Sequence, residues 1–252
     1  MKVVGGRGLN LPRPGQYVLP LIDSSRESPT VMTFRFSTEI TEFRYLSNQF
    51  VRLALPEVAD PWGPMRSFSL SSSPSESGHI SITCRISDTP FKQALAAMKA
   101  GETAVVYGPL GAFLFDLERP AVFLAGGIGI TPLRGMIRFA HDNAFPHKMV
   151  LLYTSRTPAE FVFRSELDAL AKSHDRLRVH YSVSRPQDAT SPWDGRTGRL
   201  SRSWIEETTH HLRNPRYYVC GLPEMVSDMV SLLQGPMGVP EESVDYEVFR
   251  GF

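Results

Sequence analysis

Along the first half of the chain apolar and polar residues alternate; along the second they fall into blocks. Val31–Ser37 puts Val31, Thr33, Arg35 and Ser37 on one side and Met32, Phe34 and Phe36 on the other, the period-two pattern of a half-buried strand. Residues 50–55 and 79–84 repeat it, and turn-forming stretches at 61–64 and 73–78 separate the runs. Residues 1 to about 116 are therefore expected to form a small antiparallel barrel or sandwich. A helix is expected at 90–98, capped by Asp88 or Thr89, with Pro90 in its first turn and Gly101 beyond its end. From residue 120 apolar runs at 121–125, 149–153, 177–182, 216–220 and 245–249 alternate with helical stretches. That is the βαβ signature of a doubly wound parallel sheet. Thr157-Pro158-Ala159-Glu160 reads as a capping box that opens a helix running to about Lys172, and residues 223–233 form another that stops at Gly235. The linker is expected at 118–120, which divides the chain into domains of residues 1–118 and 119–252.

Composition narrows the function without naming it. The 252 residues are 42% apolar and 21% charged, ordinary for a globular protein with room for two cores. A net charge of +1 argues against nucleic-acid binding by bulk electrostatics. No apolar run reaches membrane-spanning length, and the first residues contain no apolar core of signal-peptide length, so a cytoplasmic protein is expected. The two cysteines, Cys84 and Cys220, cannot by themselves hold an iron–sulfur cluster or a structural zinc, and a disulfide between them is disfavoured in a reducing compartment. No metal site is expected.

The chemistry concentrates in a few stretches. The apolar run 122–124 turns through Gly126-Gly127-Ile128-Gly129-Ile130-Thr131 into Pro132. Glycines let backbone approach a diphosphate, and a helix start offers free N–H groups and a positive dipole end. Thr131 is expected to be the N-cap, with Pro132 at the first helical position. The match to the dinucleotide fingerprint is partial, because Pro132 stands where its last glycine would be. In the first half, Arg66-Ser67-Phe68-Ser69 sets a phosphate-binding arginine and a stacking ring on one face of a strand, with Ser69 on the other. An ordinary amphipathic strand ending in a serine-rich loop reads the same way. Lys92 in the first turn of the 90–98 helix marks a second anion site or a solvated surface lysine. In a doubly wound sheet ligands bind beyond the carboxyl ends of the strands. Those ends carry Ser155-Arg156, Ser184-Arg185 and Cys220-Gly221. Either arginine is a phosphate ligand or a surface residue, and Cys220 is a reactive thiol or a small buried side chain.

Taken in order, four motifs resemble the ferredoxin–NADP reductase superfamily: Arg66-Ser67-Phe68-Ser69, residues 126–132, Cys220-Gly221-Leu222-Pro223 and Glu247-Val248-Phe249. The resemblance implies an α+β protein of two domains, a six-stranded antiparallel β-barrel for FAD and a Rossmann-like α/β domain for NAD(P). It implies hydride transfer from nicotinamide to flavin, then single electrons to a separate ferredoxin, flavodoxin or oxygenase component. The alternative is a flavoprotein subunit that draws electrons from a partner. By the resemblance, Arg66 and the segment from Thr89 to Lys92 hold the flavin diphosphate, Phe68 stacks on the flavin and Ser69 meets its reactive edge. Ser69, Cys220 and Glu247 surround the transfer point. Ser67, Thr83, Phe91, Gly127, Gly129, Thr131, Pro132 and Gly221 join the cofactor-binding set, and Phe249 or Phe252 covers the flavin ring. Arg156, Ser184 and Arg185 favour NADP over NAD by meeting the 2′-phosphate. Where the family has a glycine-bearing turn before its first core strand, this chain has Ser47-Asn48-Gln49, and asparagine tolerates the left-handed conformation such a turn requires.

Overall fold

The structure is a computed structural model, and it describes residues 12–249. The first half contains β1 (Gly15–Ser28), β2 (Val31–Ser37), β3 (Phe50–Ala54), β4 (Met65–Ser69), β5 (His79–Arg85), α1 (Pro90–Ala97) and β6 (Thr103–Leu110). The strands pair antiparallel in the order β4-β3-β6-β1-β2-β5, and a bridge between Leu70 and Ile82 joins the two ends into a barrel. The barrel is filled by the apolar side of the alternating strands, Phe34, Phe36, Val51, Leu53, Ile80 and Ile82 among them. Thr89 caps α1 through its hydroxyl, as expected. Asn48 takes the left-handed turn at φ 75°.

The second half contains β7 (Ala121–Gly126), α2 (Ile130–Asp142), β8 (Met149–Ser155), α3 (Arg164–Ser173), β9 (Leu177–Val183), β10 (Arg196–Thr197), α4 (Arg202–Thr209), β11 (Arg216–Gly221), α5 (Pro223–Gln234) and β12 (Val244–Val248). Six parallel strands run in the order β10-β9-β8-β7-β11-β12. Both faces are covered: Ala121, Phe123 and Ala125 pack towards α2 and α3, and Val122 and Leu124 towards α4 and α5. Burial on two faces is why the central strands β7 and β8 read as unbroken apolar runs, while the edge strand β12 keeps Asp245, Glu247 and an exposed Tyr246.

Two helix starts differ from the sequence reading. Residues 127–129 make a turn of 3-10 helix, α2 begins at Ile130 behind Gly129, and Thr131 lies inside it, its hydroxyl donating to the Ile128 carbonyl. Pro132 still falls in the first turn, where no N–H is needed. The capping box at 157–160 opens only a single 3-10 turn, with no bond from the Thr157 side chain. Phe161 and Val162 are drawn into the core and the Val162 N–H donates to the Tyr153 hydroxyl at 3.1 Å, so α3 starts at Arg164, after Phe163 at φ 60°.

The two sheets meet through packed side chains. Arg134 of α2 donates to the Ser71 carbonyl and to Glu76 in the first half, and to Glu166 of α3. A Cβ on Gly135 would lie 2.9 Å from the Ser72 carbonyl, so α2 rests almost directly on the segment after β4.

Candidate active site

The end of β4, the carboxyl end of β11 and strand β12 converge at the junction of the halves. Ser69, the last residue of β4, donates from its hydroxyl to Glu247 Oε1 at 2.7 Å, joining residues 178 apart in sequence. Glu247 lies opposite Cys220 in the parallel register of β12 and β11. Burial pushes the Glu247 carboxyl above its ordinary value and the Ser69 bond pulls it partly back. Its Oε2 is buried with no hydrogen-bond partner. Burial, with Glu247 alongside, also pushes the Cys220 thiol well above its ordinary value. Cys220 is therefore a neutral thiol, shaped to the site and not a thiolate nucleophile. Gly129 borders the same point: a Cβ there would overlap the Cys220 carbonyl and crowd the Gly221 N–H. Gly127, at φ 53°, faces open space on the same turn. Phe249 follows β12, its N–H donating to the Gly221 carbonyl at 2.9 Å. Phe252 lies outside the described residues.

The barrel places its candidates around Phe91. Arg66 and Phe68 share a face of β4: the Arg66 guanidinium lies 5.1 Å from the centre of the Phe91 ring, and Phe68 stacks on that ring at 6.2 Å. Ser67 points to solvent. Lys92 is buried, its ammonium 4.4 Å over the Phe68 ring, so this lysine is neither a solvated surface residue nor turned out at the helix start. The Phe68 ring, expected to stand open for stacking, is almost enclosed. The Thr83 hydroxyl sits in a buried chain, 2.8 Å from each of Thr33 and Ser71. The serines after β4 are not a loop surface: Ser71, Ser72 and Ser73 are all buried, and Ser72 accepts from the Tyr45 hydroxyl and the Ser81 N–H.

Arg156 and Arg185 line one cleft of about 360 Å³ beyond β8 and β9, together with Arg85 of the barrel. Ser184 donates from its hydroxyl to the Ser155 carbonyl. The Thr154 and Ser155 hydroxyls at the end of β8 are buried without partners. Sequence reasoning missed Asp60, which ties Arg66 to the start of α1, and the Arg134 clamp, because both work through contacts between distant segments.

The end of β4, the β7–α2 glycine turn and the β11–β12 pair thus meet where an antiparallel barrel joins a doubly wound parallel sheet, the arrangement of a two-domain protein. The family described as the oxidoreductase FAD-binding domain matches residues 18–115, and that described as the oxidoreductase NAD-binding domain matches residues 123–231. The chain is 31% identical over 215 residues to ferredoxin–NADP reductase B of Sorangium cellulosum, covering 81% of this chain and 85% of that one. It is 29% identical over 231 residues to the glycine betaine monooxygenase reductase subunit of Pseudomonas aeruginosa, covering 88% of this chain and 61% of the subunit. The fold is similar to that of a Neisseria gonorrhoeae ferredoxin NADP+ reductase with bound FAD and NADP, at TM-score 0.75 and 22% identity over 94% of this chain and 99% of the other. The chain belongs to the ferredoxin–NADP reductase family of flavin oxidoreductases.

The residues present suit the family's cofactors, FAD and NAD(P). Arg66 Nε and Glu247 Oε2 are buried polar atoms without partners, one beside the α1 start and the other at the junction. Gly129 keeps the β7–α2 turn free of a side chain where backbone must come close. Among the described residues no group of three His, Cys, Asp or Glu is arranged to hold a metal, and no helix is long and apolar enough to cross a membrane.

Proposed function

We propose that this chain is an FAD-dependent NADPH oxidoreductase that passes electrons to a separate acceptor protein, working at the Ser69–Glu247–Cys220 junction. The Ser69–Glu247 hydrogen bond supports this reading most strongly, because it brings the flavin-side strand and the nucleotide-side sheet to one point. When bound, the flavin supplies the electron chemistry, taking a hydride equivalent from the nicotinamide and releasing electrons onward. The protein's part is position and electrostatics. Arg66 and the N–H groups at the start of α1 hold the diphosphate, and Gly127, Gly129 and the α2 start receive the pyrophosphate of the nicotinamide nucleotide. Glu247 accepts the Ser69 hydroxyl through Oε1 and so fixes it, while its Oε2 stays buried at the same point without a partner. Cys220, held neutral, closes the site without adding charge. Phe249, where the chain leaves β12, is the ring that covers the flavin.

The choice of NADPH rests on the shared cleft of Arg156 and Arg185. Arg185 faces Asp188 only at 4.0 Å and both arginines are exposed, so both are available to a 2′-phosphate. Relatives named for ferredoxin and for a monooxygenase suit an acceptor of the ferredoxin or oxygenase-component class. Two buried free cysteines suit a reducing, cytoplasmic setting. The test is kcat/KM with NADPH and with NADH. The wild type should prefer NADPH, and Arg156→Ala with Arg185→Ala should each lower the preference about tenfold, the scale of a charge-assisted phosphate contact. A wild-type ratio near one would remove the NADPH assignment.

A further inference from the structure

Asp60 binds the two groups proposed above to hold a diphosphate, Arg66 and the start of α1. Its Oδ1 accepts from Arg66 Nη2 at 2.6 Å and from the Trp62 N–H at 2.8 Å, and its Oδ2 accepts from the Phe91 N–H, in the first turn of α1, at 2.9 Å. The Asp60 side chain is fully enclosed and Arg66 nearly so. Burial works to raise the Asp60 carboxyl, but the Phe91 and Trp62 N–H groups and the Arg66 guanidinium outweigh it and hold it below the usual carboxylate range. A carboxylate thus already holds Arg66 Nη2 and the Phe91 N–H at the helix start, leaving only Arg66 Nε unpartnered. The segment that carries it, residues 56–63, also binds Arg66 Nη1 through the carbonyls of Trp62 and Gly63. Its backbone bonds are few: Val58 to Leu55 and Gly63 to Asp60 close the turn, and the Leu55 N–H donates to the Pro64 carbonyl at its base, so residues 56–63 can move with that last bond and the β3–β4 ladder intact.

Resting on the reading of Arg66 and the α1 start as the flavin diphosphate site, we propose that Asp60 is an internal competitor for that site. It holds Arg66 and α1 in place until a diphosphate displaces it, and residues 56–63 swing out as FAD enters. A second anion cannot share a nearly dry guanidinium and one helix start without strong repulsion. The cofactor then has to exchange with a resident carboxylate, so Asp60 sets both how tightly and how fast FAD is taken up. A flavin without phosphate should be indifferent to it.

The experiment titrates the flavin-depleted full chain with FAD and with riboflavin, reading flavin fluorescence, for wild type, Asp60→Asn and Arg66→Gln. Asp60→Asn should bind FAD about tenfold more tightly, as expected for removing a competing charge of this kind, and leave riboflavin affinity unchanged. Unchanged or weaker FAD binding by Asp60→Asn would overturn the proposal. Arg66→Gln separates the two layers. If it keeps full FAD affinity, the diphosphate reading itself fails; if it loses affinity while Asp60→Asn gains none, only the role of Asp60 fails. The wild type gives a measurement that does not depend on how the variants fold. Its FAD association rate should level off with FAD concentration at the rate of segment opening, while riboflavin association stays linear. A linear rate for FAD would overturn the proposal.

Discussion

Glu247 holds its proton more tightly than a free glutamate because the junction that places it also dries it. Burial raises its carboxyl against the pull of the Ser69 bond, so the folded state binds this proton more tightly than the unfolded chain. The sign of the pH effect follows. The contribution of Glu247 to stability is complete below the ordinary glutamate range and is lost as pH climbs through the raised value. Glu247→Gln should lack that component, so the difference in urea midpoint between variant and wild type should move in the variant's favour as pH rises from 4 towards neutrality, values on the order of the ordinary glutamate pKa upwards. A difference flat across that span would mean that the buried carboxyl has no unusual proton affinity. In turnover the same substitution and Ser69→Ala should each slow flavin reduction by about 10²-fold, a typical size for losing a preorganised hydrogen bond at the reacting centre, with little change in nucleotide affinity. Stopped-flow reduction at saturating NADPH measures it.

At the scale of elements, the β7–α2 turn separates two kinds of glycine. Gly129 is packed against backbone, where a Cβ would overlap the Cys220 carbonyl, whereas Gly127 only needs a left-handed φ in open space. Gly129→Ala should therefore destabilise by about 3 kcal/mol or more, the upper end of overpacking because backbone cannot step aside. Gly127→Ala should lose about 1–2 kcal/mol, the strain of a left-handed alanine. Denaturant unfolding of the two variants gives the comparison, and equal losses would contradict the close approach.

The same elements show what the sequence could reveal. The central parallel strands β7 and β8 were legible because two-sided burial writes them as apolar blocks, and β2, β3 and β5 because apolar and polar residues alternate along them. The 14-residue β1 was not, since it pairs with β2 along one part and β6 along another and slips register between Leu21 and Asp23, which blurs its period. The start of α3 was misplaced because a local capping pattern at 157–160 lost to the burial of Phe161 and Val162. Of the candidate site, the arginine, serine, glycine and cysteine positions could be named from short motifs. The enclosure of Phe68 by Lys92 could not, nor the Asp60 contact with Phe91 across 31 residues, because neither leaves a local pattern.

For the whole molecule, Arg134 is the side chain that most clearly joins the halves. It bonds Glu76 and the Ser71 carbonyl on the barrel side and Glu166 on α3, and it lies over the Phe163 ring. Arg134→Met would leave two carboxylates facing each other without their cation. The expected loss is roughly 2–3 kcal/mol, below the figure for a fully buried pair because both carboxylates keep some solvent. Calorimetry should show one unfolding transition for the wild type and a broadened or split one for the variant as the halves uncouple. One sharp transition at the wild-type temperature would show that the clamp contributes nothing to their coupling.

The most direct test of the whole reading is the anaerobic visible spectrum of the purified chain, before and after one equivalent of NADPH, with NADH in parallel. A flavin spectrum that NADPH bleaches quickly and NADH slowly is the expected result. A flavin spectrum that neither nucleotide bleaches would contradict the reductase reading and leave a flavoprotein that draws its electrons from elsewhere.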